Sequence, residues 1–215
     1  MPAYKLAIFD WDGTLMDSVA HIVDSMQQAA QVLGEPVPSV SEVRHIIGLG
    51  LPEAIALLFP HASLSTREEI RQQYAKHFLA HSASKSELFT GAQSLLDQLQ
   101  QQGYLLAIAT GKSRLGLDRV LAQTGIGHYF VATRCADETA SKPDPLMLRQ
   151  LLAYTGSSAE QSVMIGDTSY DMAMAQALDM PRIAVSYGVH SKDMLQGYQP
   201  LAIVDSIYQL QDYLI

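Results

Sequence analysis

Three observations predict an α/β fold, a doubly wound parallel sheet with an inserted α-helical block. Leu6 to Phe9 is a short apolar run rich in strand formers; residues 16–86 read as helix throughout; and from Gly91 onward strands and helices alternate to the C-terminus. Alternation of this kind implies a parallel sheet covered on both faces, whose ligands bind beyond the carboxyl ends of the strands. The expected division is a core domain formed by residues 1–15 and 87–215 and a helical cap formed by residues 16–86.

The first strand runs directly into Asp10-Trp11-Asp12-Gly13-Thr14. Two carboxylates one residue apart at the end of a buried strand repel one another and resist desolvation, so the arrangement suggests a cation or an acid/base pair. After Met16 the pattern turns helical. Ser18 stands where it can cap a helix reaching Leu33, with Ile22, Val23, Met26, Ala29 and Ala30 on one face and Gly34 as the stop. Pro36 and Pro38 enforce a break, Ser39 with Glu42 has capping-box spacing, and Leu51 to Phe59 reads as a helix with Pro52 in its first turn. Ser65 with Glu68 has the same capping-box spacing and predicts the start of another helix. A helical block set immediately after carboxylates at a strand end is expected to form a lid over them.

In the second half, helices are predicted over Ala92 to Gln101, Ser113 to Thr124, Pro145 to Tyr154, Tyr170 to Leu178 and Ser206 to Leu214. Strands are predicted over Leu105 to Ala109, Phe130 to Thr133, Val163 to Ile165, Arg182 to Val185 and Leu201 to Val204. The polar residues then fall at strand ends. Thr110-Gly111-Lys112 follows one strand, Gly166-Asp167-Thr168-Ser169-Tyr170-Asp171 follows another, and Ser141-Lys142-Pro143-Asp144-Pro145 lies between. Carboxylates, a hydroxyl and a lysine gathered at one sheet edge form a set that handles phosphate: oxygen ligands for Mg²⁺, donors for phosphate oxygens, and a carboxylate able to attack phosphorus.

Composition narrows the partners. The 215 residues are 48% hydrophobic and 17% charged, with a formal net charge of −8, so no basic stripe exists to offset nucleic-acid phosphates. No apolar run is long enough to span a bilayer, and the single cysteine, Cys135, excludes an intramolecular disulfide. The expectation is a cytoplasmic monomer or homodimer that meets a small phosphorylated metabolite, with no nucleic-acid or membrane partner. Cys135, Met172, Met174 and Met180 read as core filling.

At this point the chain resembles the haloacid dehalogenase superfamily of phosphohydrolases. The family's Asp-x-Asp-x-Thr motif stands as Asp10 to Thr14, its Thr or Ser after an apolar strand as Thr110, its Lys as Lys142, and its Gly-Asp with a further Asp as Gly166-Asp167 and Asp171. The inserted block resembles the α-helical-cap subfamily that includes phosphoglycolate phosphatases and β-phosphoglucomutase. The resemblance implies that Asp10 is the nucleophile that forms an aspartyl-phosphate and Asp12 the general acid and base. It further implies Mg²⁺ held by Asp10, Asp167 and the backbone carbonyl of Asp12, phosphate held by Thr110, Gly111 and Lys142, and Asp171 orienting the metal shell or Lys142. In the cap it points to Arg44, His45, Gly48 and Lys76 as residues facing substrate. The implied activity is a Mg²⁺-dependent, phosphoglycolate phosphatase-like hydrolysis of a small phosphate monoester, with a phosphomutase of the β-phosphoglucomutase type or a pyrophosphatase or nucleotidase as alternatives. Two departures from the phosphoglycolate phosphatase pattern, Gly111 in place of Asn and a short motif around Lys142, leave the substrate open.

Overall fold

The computed structural model describes residues 4–85 and 87–215. Its centre is a six-stranded parallel sheet ordered β5-β4-β1-β6-β7-β8, formed by β1 (Leu6–Phe9), β4 (Leu105–Thr110), β5 (Phe130–Cys135), β6 (Ser162–Gly166), β7 (Arg182–Val185) and β8 (Ala202–Val204). The chain starts in the middle. It builds outward through β4 to β5, then returns to the other side of β1 for β6, so the strand order reverses between β4, β1 and β6. Phe9 pairs with Ile108 on one side and Ile165 on the other, which brings the three strand ends level. Ligand sites form at such a reversal.

Alternation along β1 sends its residues to both faces. Ala7 and Phe9 join Leu95, Leu96 and Leu99 of α5 (Ala92–Gln101) together with Leu117 of α6 (Arg114–Thr124). Leu6 and Ile8 join Met147, Leu148 and Leu151 of α7 (Leu146–Thr155), with Met174 of α8 (Ser169–Gln176) and Met180. Every residue of β1 is fully buried. Cys135 and the three methionines are buried too, as expected.

The segment after β1 departs from an all-helical reading at its start. Met16–Asp17 forms a two-residue strand, β2, paired antiparallel with β3 (Glu87–Leu88), so the two connections to the helices run side by side. Two residues carry no periodicity, and their partner lies some seventy positions away, so nothing local announces the pair. Ser86 lies outside the described residues. Between the strands come α1 (Val19–Leu33), α2 (Val40–Ile46), α3 (Leu51–Leu58) and α4 (Leu64–Lys85). Their apolar faces form a hydrophobic cluster around Met26, Ala30, Val43, Ile55 and Ile70, which Val189 joins from the loop after β7.

The caps divide. Ser39 and Glu42 make the expected capping box, with the Ser39 Oγ accepting from the Glu42 amide at 3.2 Å and Glu42 accepting from the Ser39 amide at 2.7 Å. Ser65 caps nothing: α4 begins one residue earlier, Ser63 Oγ accepts from the Thr66 amide at 3.1 Å, and the Ser65 hydroxyl donates to Glu69. Ser18 precedes α1 but makes no side-chain cap bond. The last predicted helix is a 3₁₀ turn, Ile207–Leu210, followed by α10 (Gln211–Leu214), and the short helix α9 (Lys192–Gln196) carries no strong periodic signal. No helix among the described residues is long and apolar enough to cross a membrane.

Candidate active site

The end of β1 delivers Asp10 to the floor of the strand-order reversal, where it is almost wholly buried and its amide donates to the Ile165 carbonyl at 2.9 Å. Lys142, equally buried, reaches in from the loop before α7. Its ammonium lies 2.7 Å from Asp10 Oδ1 and 2.6 Å from Asp171 Oδ1. The other oxygen of Asp171 accepts from the amide (3.1 Å) and hydroxyl (2.7 Å) of Thr168, which caps α8 in return. Asp171 is therefore committed on both oxygens and acts as the anchor of Lys142. Burial works to lower the Lys142 ammonium, but the Asp10 and Asp171 charges outweigh it and hold it above its usual range.

Asp167, at the end of β6, is fully buried and meets the same group. Its Oδ1 accepts from the Thr14 hydroxyl and its Oδ2 from the Val189 amide, both at 2.8 Å. Gly13 and Gly188 press on this carboxylate so closely that a Cβ at either would overlap it, and Gly13 also takes φ +82°, which disfavours any L side chain. Carboxylate oxygens of Asp10, Asp167 and Asp171 lie within 4.8 Å of one another. Burial raises Asp10, the Lys142 charge opposes this, and the Asp171 and Asp12 charges add to it, so that its carboxyl is pushed up to about 7. Burial likewise raises Asp167 well above the ordinary range, with Asp10 and Asp171 adding.

One lysine cannot neutralise three buried carboxylates, and Asp10 Oδ2 has no hydrogen-bond partner among the described residues. An uncompensated oxygen facing a second carboxylate, with oxygen donors only, fits a hard divalent cation.

Asp12 stands apart from that cluster. Both its oxygens accept from Lys112 Nζ at 2.8 Å, and its Oδ1 also accepts from the Ser18 hydroxyl at 2.6 Å. Ser18 thus gives up the helix cap to hold a carboxylate. Thr110, at the end of β4, accepts from the Lys112 amide at 3.1 Å. Asp10, Asp12, Thr110, Gly111 and Lys112 form the floor of a cavity of about 530 Å³ roofed by α1 to α4.

The family profile described as haloacid dehalogenase-like hydrolase matches residues 7–185. The chain belongs to the haloacid dehalogenase-like hydrolases. It is 30% identical to the phosphoglycolate phosphatase of Vibrio cholerae, over 100% of this chain and 99% of that protein. Against the phosphoglycolate phosphatase (plasmid) of Cupriavidus necator it is 31% identical, over 94% of this chain and 90% of that one. A hydrolase of the haloacid dehalogenase-like family from Streptococcus pneumoniae superposes with a TM-score of 0.85 at 26% identity, over 98% of each chain.

In this haloacid dehalogenase-like hydrolase the expected core residues come together, whereas three of the four expected cap residues stand elsewhere. Gly48 lines the cavity and its loop lies on Gly111. Arg44 instead donates to the carbonyls of Gly188 (2.9 Å) and Val189 (3.0 Å), outside the cavity lining. His45 is exposed and its ring stacks near His190, and Lys76 is exposed on α4, also away from the cavity. The physical reason is helical phase: Val43 and Ile46 take the inward face of α2, so positions 44 and 45 turn away. The residues that motif reading missed are Lys112 and Ser18 on Asp12, Thr14 and Val189 on Asp167, and Thr168 on Asp171. Thr14 and Lys112 stood inside quoted motifs; only their partners were invisible.

Proposed function

We propose that this protein is a Mg²⁺-dependent phosphatase that hydrolyses a phosphate monoester through an aspartyl-phosphate on Asp10. The observation that carries the reading is the pair at the cavity floor: a buried Asp10 with one oxygen unpartnered, two residues from an Asp12 whose carboxylate is oriented separately by Lys112 and Ser18. Two carboxylates in such different settings suit two roles.

Asp10 attacks phosphorus and the P–O bond to the alcohol breaks. Asp12 gives its proton to the departing oxygen, then takes one from the water that cleaves the acyl phosphate, which restores both groups. Lys142 neutralises charge shared by Asp10 and the phosphate, and Asp171 keeps it aimed. The Thr110 hydroxyl and the Gly111 amide hold a non-bridging oxygen. Mg²⁺ would be held by Asp10, Asp167 and the Asp12 carbonyl, and supplies charge stabilisation on the phosphoryl oxygens. Residues 16–86 serve as the cap that covers the bound ester and excludes water. The names of the curated relatives make phosphoglycolate one substrate to try.

The test is phosphate release from a panel of monoesters, with Mg²⁺ and with chelator, for wild type and Asp10→Asn side by side. Release that needs Mg²⁺ and disappears in the variant supports the reading; release that survives Asp10→Asn sinks it.

A further inference from the structure

The cavity above Asp10 has a chemical character that the catalytic floor does not require. From α1, the α2–α3 loop and α4 it is walled by Ile22, Met26, Ile47, Leu49, Tyr74 and Phe78. Tyr74 and Phe78 stack with ring centroids 5.8 Å apart, Phe78 also stacks on His21 at 4.0 Å, and the Lys112 ammonium lies over the Phe78 ring 5.0 Å from its centroid, so the aromatic wall is held in place from several sides. At about 530 Å³ the space is in the range that holds drug-sized ligands, roughly 300–1,000 Å³.

Positive charge is scarce on these walls. Within residues 16–80 the sole basic side chain lining the cavity is Arg71, and its guanidinium is bound at 2.6 and 2.7 Å to both oxygens of Glu68. Lys112 is committed to Asp12, and Arg119 is exposed on α6 in a lining that also includes Glu53 and Asp137. A short alcohol carrying a carboxylate would bring a second negative charge against apolar walls whose cations Lys112 and Arg71 are already paired with Asp12 and Glu68, which is costly. An uncharged apolar or aromatic group would gain from the same walls.

Resting on the phosphatase reading above, we propose that the cavity selects phosphate monoesters whose alcohol portion is a bulky, uncharged apolar or aromatic group, with Leu49 and Phe78 setting that preference. The alcohol portion lies between Phe78 and the α2–α3 loop while the phosphate rests on the floor.

The experiment compares 2-phenylethyl phosphate with 2-phosphoglycolate. Both are esters of primary alcohols, so differences report the cavity more than the intrinsic chemistry. The expected result is a kcat/KM at least about tenfold higher for the phenylethyl ester, from the apolar area its ring buries. Phe78→Ala and, separately, Leu49→Ala should raise KM for that ester by several fold more than KM for phosphoglycolate, with melting temperature as the folding control. Efficient turnover of phosphoglycolate at or above the rate of the phenylethyl ester overturns the proposal and leaves the phosphatase reading standing. Silence on both esters and on the whole monoester panel overturns the phosphatase reading, and this proposal with it.

Discussion

Gly111 carries no positive φ, yet it has no room for a side chain. A Cβ built there would fall on the carbonyl oxygen of Leu49 and within 2.6 Å of that of Gly48. Both obstacles are backbone, so Gly111→Ala forces the 48–49 loop to recede by at least roughly half an ångström, and overpacking of this kind costs about 1–3 kcal/mol. The loop is tied to the core by the bond from the Gly50 amide to Ser141 at 2.8 Å and, at the end of α2, by the Tyr170 hydroxyl donating to the His45 carbonyl at 2.8 Å, and none of these bonds belongs to the sheet, so the loop can lift without unfolding it. The cost should therefore fall on the covered arrangement of the site. At tenfold per 1.4 kcal/mol, kcat/KM should drop between about 5- and 150-fold. The assay is steady-state phosphate release with wild type and variant, paired with a thermal melt. A variant within twofold of wild type, equally stable, would refute the idea that the loop must rest on Gly111 during turnover.

Lys112→Met leaves the largely buried Asp12 with Ser18 alone, and kcat should fall at least about tenfold, with partial recovery in Lys112→Arg; an unchanged kcat would show that the 2.8 Å pairing is incidental. Asp171→Asn strips Lys142 of a fully buried partner, for a loss of about 3 kcal/mol, which for a chain of this size lowers the melting temperature by roughly 6–12 °C; a change under about 2 °C would contradict the anchor role. In chelator, folded Asp10 titrates near 7 instead of its ordinary 3.8, so the folded state keeps a proton that the unfolded chain releases. Stability should then fall as pH rises from about 4 to about 7, and Mg²⁺, which favours the charged carboxylate, should flatten the slope; parallel melts with and without Mg²⁺ from about pH 4 to 8 decide it. Lys76→Ala should leave kinetics within twofold of wild type, because Lys76 does not reach the cavity.

What the sequence made legible was whatever repeats locally or stands at a strand end. The run from Leu6 to Phe9 is apolar on both faces because β1 is the central strand, and that same centrality puts Asp10 where the strand order reverses. The charges at the ends of β1, β4 and β6 could be grouped before any pairing was known, since parallel strands all finish at one edge. Illegible were the pairings across distance. Lys112 meets Asp12 a hundred positions away, and a lysine beside a glycine reads as a solvated loop residue until its partner is seen. Ser18 looked like a cap by position alone, and only the nearness of Asp12 redirects it. In the helical insert, phase misled: Arg44 and His45 are chemically suited to substrate, but the face that carries Val43 and Ile46 decides which side chains turn inward.

The two-residue ribbon of β2 and β3 has a consequence beyond its size. Met16 lies opposite Leu88 and Asp17 opposite Glu87, so the chain leaves and re-enters at one point, as if a hairpin had been opened and helices α1 to α4 threaded through its tip. An element joined in this way can be exchanged, lengthened or shortened with little disturbance to the register of the six-stranded sheet, because neighbouring ends put no stretch on the frame that bears them. On the phosphatase reading, the helices over the site could then be altered to suit a different alcohol while the sheet edge that handles the phosphoryl group keeps its geometry.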